Sequence, residues 1–199
     1  EQLLSYDELI LYVRKIAPNG SPFVIVAESF STPLAVKYAA TRPVGLVGLV
    51  LCAGFITNPA GNWTLLAKLL TRPAVLRISP PRWFLDHFVF GSGSPPALEV
   101  AFRAALRTAK PEVLAKRLRA VLYCDERDAL ARTSVPLMYI QAECDRLVSA
   151  NCYRVIKRIR PDSAFVLIPK APHLVLQREP RRCAEAIVRF IQGLSAQRT

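Results

Sequence analysis

The stretch that most constrains this chain is Phe23-Val24-Ile25-Val26-Ala27-Glu28-Ser29-Phe30-Ser31. Phe23 to Val26 have the continuous apolarity of a buried strand. The segment Thr32-Pro33-Leu34-Ala35-Val36-Lys37-Tyr38-Ala39-Ala40 then predicts a helix, with proline tolerated in the first turn because an N–H there has no intrahelical partner. Between strand and helix stands Ser29, with the small residues Ala27 and Ser31 two positions to either side. A strand that turns sharply into a helix brings the two backbones close together. Small residues at those two positions permit the approach around a strained serine. The plainer reading is a serine that caps a helix after a buried strand, and the rest of the chain must decide between the two.

The flanking pattern is that of an α/β protein. Ser5-Tyr6-Asp7-Glu8 forms a capping box, and the helix it opens carries Leu9, Ile10, Val13 and Ile16 on one face before ending near Pro18-Asn19-Gly20. After the helix that follows Ser29, Val44 to Cys52 is a second continuous apolar segment, as expected of a parallel strand covered on both faces. Further strands are predicted at Val135 to Ile140 and Ala164 to Ile168, with helices from about Ala150 to Arg160 and from about Pro180 to Leu194. The expected fold is a mostly parallel sheet flanked by helices.

Between Thr57 and Arg119 the rhythm changes. Helical patterns at Ala97 to Leu106 and Pro111 to Tyr123 alternate with breaks such as Ser79-Pro80-Pro81 and Gly91-Ser92-Gly93-Ser94-Pro95-Pro96, and no strand signal intervenes. The expectation is a core of residues 1–56 and 120–199, with residues 57–119 inserted after the second visible strand as a helical cap or lid. Trp63, Trp83, Phe84, Phe88 and Phe90 make that insertion aromatic. Packing onto the body is the commoner reason for such residues, and lining a ligand pocket is the functional one. His87, within it, reads as a surface or packing residue.

Composition narrows the classes. At 199 residues, 52% hydrophobic and 21% charged, the chain can bury one real core. Its longest apolar run, Val44 to Ile56, is too short to cross a bilayer and contains three glycines, so no membrane span is expected. The five cysteines (Cys52, Cys124, Cys144, Cys152, Cys183) are odd in number and lack C-x-x-C spacing, which fits a reducing, cytoplasmic compartment and predicts no metal site. Cys144 reads as a small buried filler. The net charge of +12 invites a nucleic-acid reading, but the basic residues are dispersed and no aromatic-interleaved basic stripe is present, so no nucleic acid is expected. A preference for anionic substrates or for an acidic carrier protein is the functional version of that charge.

The C-terminal half supplies the context for Ser29. One strand runs out into Asp145-Arg146-Leu147-Val148, a helix and another strand follow, and then Pro169-Lys170-Ala171-Pro172-His173-Leu174 precedes the final helix. This arrangement resembles the acid and base loops of the α/β-hydrolase superfamily, and the order Ser29, Asp145, His173 is that superfamily's order. Each residue follows a strand, where ligands of open α/β sheets bind. The elbow spelling A-E-S-F-S, in place of the usual G-x-S-x-G, and the ending P-H-L-V-L-Q-R-E-P are similar to a bacterial subgroup of single-domain serine hydrolases akin to carboxylesterases and pimeloyl-thioester methyl esterases.

The resemblance implies an α/β-hydrolase fold and a serine hydrolase of carboxylic esters or thioesters with no cofactor. Ser29 would be the nucleophile, His173 its base and Asp145 the residue that orients the base. Asp125 and Asp128 also precede a strand, and they read as surface partners of Arg127 and Arg132. A serine at the elbow argues against dehalogenase and epoxide-hydrolase chemistry, which uses an aspartate there. The Phe30 N–H would be one oxyanion donor; the family's second comes from a loop after an earlier strand, for which these residues show no counterpart. The expectation is therefore an N-terminally truncated hydrolase whose elbow strand becomes an exposed apolar edge, open to self-association. Two alternatives stand beside it: a non-catalytic scaffold or inactive fragment that binds a small acyl ligand, and, on charge alone, a nucleic-acid-binding domain.

Overall fold

A computed structural model describes residues 5–18, 20–61 and 64–196. Among them, four parallel strands form one sheet in the order β1-β2-β3-β4: β1 is Phe23–Glu28, β2 Leu46–Cys52, β3 Leu137–Ala142 and β4 Ala164–Ile168. Helix α1 (Tyr6–Ile16) precedes β1, and α2 (Ser31–Ala39) connects it to β2. Between β2 and β3 lie α3 (Thr64–Leu70), α4 (Pro73–Leu76), α5 (Arg82–Leu85), a π-helical turn at Asp86–Phe90, α6 (Pro96–Thr108), α7 (Pro111–Leu122) and α8 (Arg127–Arg132). Helix α9 (Ala150–Ile159) leads to β4, after which α10 (Val175–Arg178) and α11 (Pro180–Ala196) end the described chain.

The central strands obey the period of two that their continuous apolarity concealed. Leu49, Leu51, Leu137 and Tyr139 face a core built with Val36 of α2, Leu130 of α8 and Ile156 of α9. Val50, Cys52, Met138 and Ile140 face the opposite core, with Val175, Cys183 and Ala186 of α10 and α11. Both faces are covered, so β2 and β3 are almost wholly buried. Gly48 is needed on the second face: a Cβ there would stand 2.6 Å from Leu194 Cδ1 of α11. The edge strands differ. Val26 of β1 is 43% exposed, and so, to similar degrees, are Phe165 and Leu167 of β4.

The elements match the sequence pattern closely, with physical reasons for the departures. The Ser5–Glu8 capping box is present at the start of α1. Of the expected apolar face, however, only Ile10 is buried; Ile16 lies exposed, and Tyr6 takes the other buried place. Strand β2 begins at Leu46 rather than Val44 because Gly45 adopts a positive φ of 86° that keeps the preceding turn out of the sheet. The short helices α8 and α10 carry too few turns to show a period. The aromatic residues divide: Phe90 is fully buried with Leu85 and Val89, and Phe84, Phe88, Leu98, Phe102 and Leu174 pack on them, whereas Trp83 is largely exposed. Trp63 lies outside the described residues.

Candidate active site

Ser29 sits at the turn between β1 and α2 with φ of +51°, in the left-handed region that a non-glycine residue occupies only at a cost. The surroundings over-determine that conformation. The Ser29 N–H donates to the Cys52 carbonyl at 3.0 Å, at the end of β2. The Ser29 carbonyl accepts from the Thr32 N–H at 3.0 Å and from Thr32 Oγ1 at 2.7 Å. Thr32 is fully buried, and its hydroxyl also engages the Phe55 carbonyl at 2.9 Å and the Phe55 N–H at 3.0 Å. The elbow is thereby tied to the exit of the neighbouring strand.

His173 follows β4, and Asp145 follows β3. The structure brings the three residues into one chain of hydrogen bonds. Ser29 Oγ is 2.7 Å from His173 Nε2, and His173 Nδ1 is 2.8 Å from Asp145 Oδ2. The Asp145 side chain is fully buried and that of His173 is 6% exposed, so the pair lies largely out of water. The other Asp145 oxygen, Oδ1, accepts from the Leu147 and Val148 N–H groups, each at 2.8 Å. That bonding holds the acid loop in shape and leaves Oδ2 aimed at the imidazole. Acid and base loops are stitched together by the Cys144 N–H on the Ala171 carbonyl at 2.8 Å. Asp125 instead pairs with Arg127 at 2.6 Å, away from this chain.

Phe30 precedes the first residue of α2, so its N–H belongs to the helix-end donors that find no partner within the helix. Its carbonyl accepts from the Tyr6 hydroxyl at 3.1 Å, and its ring stacks on that of Tyr6 at 4.9 Å. Burial of Tyr6 raises its hydroxyl pKa well above the ordinary value, so it stays a donor. The sequence reading missed this residue; its place as the first residue of α1, directly after the Ser5 cap, carried no signal beyond the capping box.

The helical segment between β2 and β3 reaches the base loop directly. Leu174 N–H donates to the Val89 carbonyl at 3.3 Å, and Arg178 of α10 donates to the Ser92 and Gly93 carbonyls at 3.2 and 3.1 Å. Gly91, with φ of +72°, leaves so little space that a Cβ would meet Pro172 Cβ at 2.9 Å. His87 is exposed and takes a hydrogen bond from Arg146 Nη1 at 2.6 Å, which joins this segment to the acid loop. Cys144 proves exposed rather than a buried filler, because it stands on the outer rim of the acid loop. The other four cysteines are buried, and burial raises the thiol pKa of Cys124 to about 12 and those of Cys152 and Cys183 to about 11. Among the described residues no group of three or more His, Cys, Asp or Glu could hold a metal ion, and no helix is long and apolar enough to cross a membrane.

A parallel α/β sheet with a strained serine after one strand and hydrogen-bonded histidine and aspartate after two others defines the class. The sequence assigns it further: the model of the alpha/beta hydrolase family matches residues 2–186, and the chain belongs to that family. No curated protein matches it in sequence. Among solved structures it is similar to an esterase from Exiguobacterium antarcticum, at 16% identity and a TM-score of 0.75 over 94% of this chain and 74% of the other. A thermophilic esterase from Thermogutta terrifontis is 22% identical, with a TM-score of 0.73 over 95% of this chain and 71% of the other. A proline iminopeptidase from Mycobacterium smegmatis is 17% identical, with a TM-score of 0.71 over 98% and 72%. At these identities the likeness is one of fold.

Proposed function

We propose that this chain is a serine hydrolase that cleaves a small carboxylic ester or thioester through an acyl-serine intermediate. The observation that carries the reading is the Ser29–His173–Asp145 hydrogen-bonded chain, at 2.7 and 2.8 Å, on a serine held at positive φ. His173 Nε2 takes the proton of Ser29 Oγ as that oxygen attacks the acyl carbonyl, and Asp145 stabilises the imidazolium that results. The tetrahedral oxyanion is met by the Phe30 N–H at the start of α2, where the helix dipole also favours negative charge. His173 then protonates the departing alkoxide or thiolate. Water, deprotonated by the same nitrogen, hydrolyses the acyl-serine and restores the enzyme.

Residues 57–119 act in this reading as a cap that shapes the acyl site. A preference for anionic groups, free or on an acidic carrier, is supported by a basic cleft of about 680 Å³ on the outer rim of the acid and base loops, which Ser29 itself does not line. Arg146, Lys170 and Arg178 line it, and its one carboxylate, Asp86, lies 3.4 Å from Arg82. Free cysteines support a cytoplasmic setting. The open edge of β1 supports association of two copies through that strand; sedimentation giving a monomer at every concentration would reject it.

The test of the central reading is labelling with a fluorophosphonate, mapped by mass spectrometry, with Ser29→Ala as control. Modification of Ser29 that disappears in the variant is the expected result. A folded chain that binds acyl ligands but neither labels nor hydrolyses would replace the hydrolase with a binding scaffold.

A further inference from the structure

Glu28 immediately precedes Ser29, and the chemistry above gives it no task. Its backbone is closed locally by Ser31, whose hydroxyl donates to the Glu28 carbonyl at 2.8 Å and accepts from the Glu28 N–H at 3.0 Å. Its side chain does something different. Oε1 accepts from the Leu176 N–H at 3.0 Å, and Oε2 accepts from Gln177 Nε2 at 2.9 Å. Leu176 and Gln177 lie in α10, which begins two residues after His173, and the Val175 N–H donates back to the His173 carbonyl at 2.8 Å. Both carboxylate oxygens are therefore spent on N–H groups of the segment that carries the base.

The sheet order explains why such a link matters. Ser29 follows β1 and His173 follows β4, the two edge strands, so no ladder of the sheet joins the elements that carry the two reacting side chains. The base loop must cross the C-terminal ends of β2 and β3 to bring Nε2 within 2.7 Å of Ser29 Oγ. Its other fastenings lead to the acid loop, through Ala171 and Cys144, and to the helical insertion, through Leu174 and Arg178. Glu28 fastens it to the elbow itself, with charge-assisted hydrogen bonds stronger than neutral ones.

We propose that Glu28 is a positioning residue: its carboxylate clamps the start of α10 to the end of β1 and thereby sets the distance between the Ser29 nucleophile and the His173 base. The inference rests on the serine-hydrolase reading. The clamp does not touch substrate, so its removal lowers turnover and leaves substrate affinity alone.

The experiment measures hydrolysis of p-nitrophenyl acetate, the rate of fluorophosphonate labelling at Ser29, and thermal melting for four chains: wild type, Glu28→Ala, Glu28→Gln and Gln177→Ala. Since misplacing a reacting group by about 1 Å costs on the order of 10²-fold, Glu28→Ala is expected to lower kcat about 10- to 100-fold with KM within about 2-fold. The labelling rate at Ser29 should fall in parallel. Glu28→Gln keeps an oxygen for the Leu176 N–H and restores most of the lost rate. Gln177→Ala costs only a few-fold and adds nothing to Glu28→Ala, as expected of two residues in one contact. The inference is overturned if Glu28→Ala turns over like the wild type while Ser29 still labels. It is equally overturned if the loss tracks the unfolded fraction in the melt and vanishes on cooling, or if Glu28→Gln is no better than Glu28→Ala. A wild-type chain that neither hydrolyses nor labels overturns the hydrolase reading itself, and is told apart from a failed clamp by that wild-type result.

Discussion

The loops at the C-terminal ends of the strands and the helical insertion between β2 and β3 are built on opposite principles. Around Ser29, Asp145 and His173 nearly every backbone turn is fixed by a named polar contact. Thr32 closes on the elbow, Leu147 and Val148 on Asp145, and Cys144 on Ala171. The insertion relies more on apolar packing, centred on Leu85, Val89 and Phe90, with Arg103 tying α6 to Ser79 and Pro80. Its helix α6 has no buried residue, and Leu65, Ile78, Trp83 and Val100 project outward. The difference teaches where geometry is demanded. Directional hydrogen bonds accumulate where Ser29, His173 and Asp145 come together, three residues from three separate loops. Non-directional burial suffices where a surface need only be covered; the Val89, Ser92 and Gly93 carbonyls and the Arg146–His87 hydrogen bond carry order from one region into the other.

The strongest test of the comparison is on the polar side. Asp145→Asn keeps an oxygen for the Leu147 and Val148 N–H groups but presents an amide to His173, which favours the wrong tautomer. We expect kcat to fall about 10⁴-fold with the fold intact, read by steady-state kinetics and circular dichroism. On the apolar side, Phe90→Ala empties a fully buried site at the centre of the insertion's core. It should cost about 3–5 kcal/mol in denaturant unfolding. If it left stability unchanged, the insertion would not depend on packing as described.

Thiol chemistry sharpens the contrast between the polar loops and the apolar core, to which Cys152 and Cys183 belong. Burial raises the thiols of Cys152 and Cys183 to about 11, so at pH 8 only about 10⁻³ of each is the reactive thiolate. The sign is that reaction speeds up as pH rises towards those values. Iodoacetamide on the native chain should therefore modify exposed Cys144 first, and mass spectrometry at pH 7, 8 and 9 reads the order. Activity should survive this, since the Cys144 N–H, not its sulfur, joins the two loops. The smallest effect is expected at Trp83, which is 68% exposed. Trp83→Ala should change stability by no more than about 0.5 kcal/mol, while any change in KM across p-nitrophenyl esters of rising chain length would mark it as part of the acyl surface.

Much of this was legible before any coordinates. The elbow was readable because Ala27 and Ser31 flank Ser29 where only small residues fit, and Ser5 and Glu8 announced the start of α1 because a capping box is wholly local. The apolar strands and their alternation with helices gave the parallel sheet, since residues buried on both faces leave an unbroken apolar run. Order along the chain, with a strand before each residue, was enough to nominate Ser29, Asp145 and His173.

What the tertiary structure alone decided is everything that depends on which strand lies beside which. That Glu28 reaches Leu176 and Gln177, that Tyr6 braces Phe30, and that Cys144 faces outward all follow from the order β1-β2-β3-β4 and the paths of loops across its end. Periodicity reports how one segment divides its residues between inside and outside. It carries no information on the distance between side chains far apart in sequence, such as Glu28 and Gln177, because that distance is set by the packing of whole elements and not by either residue.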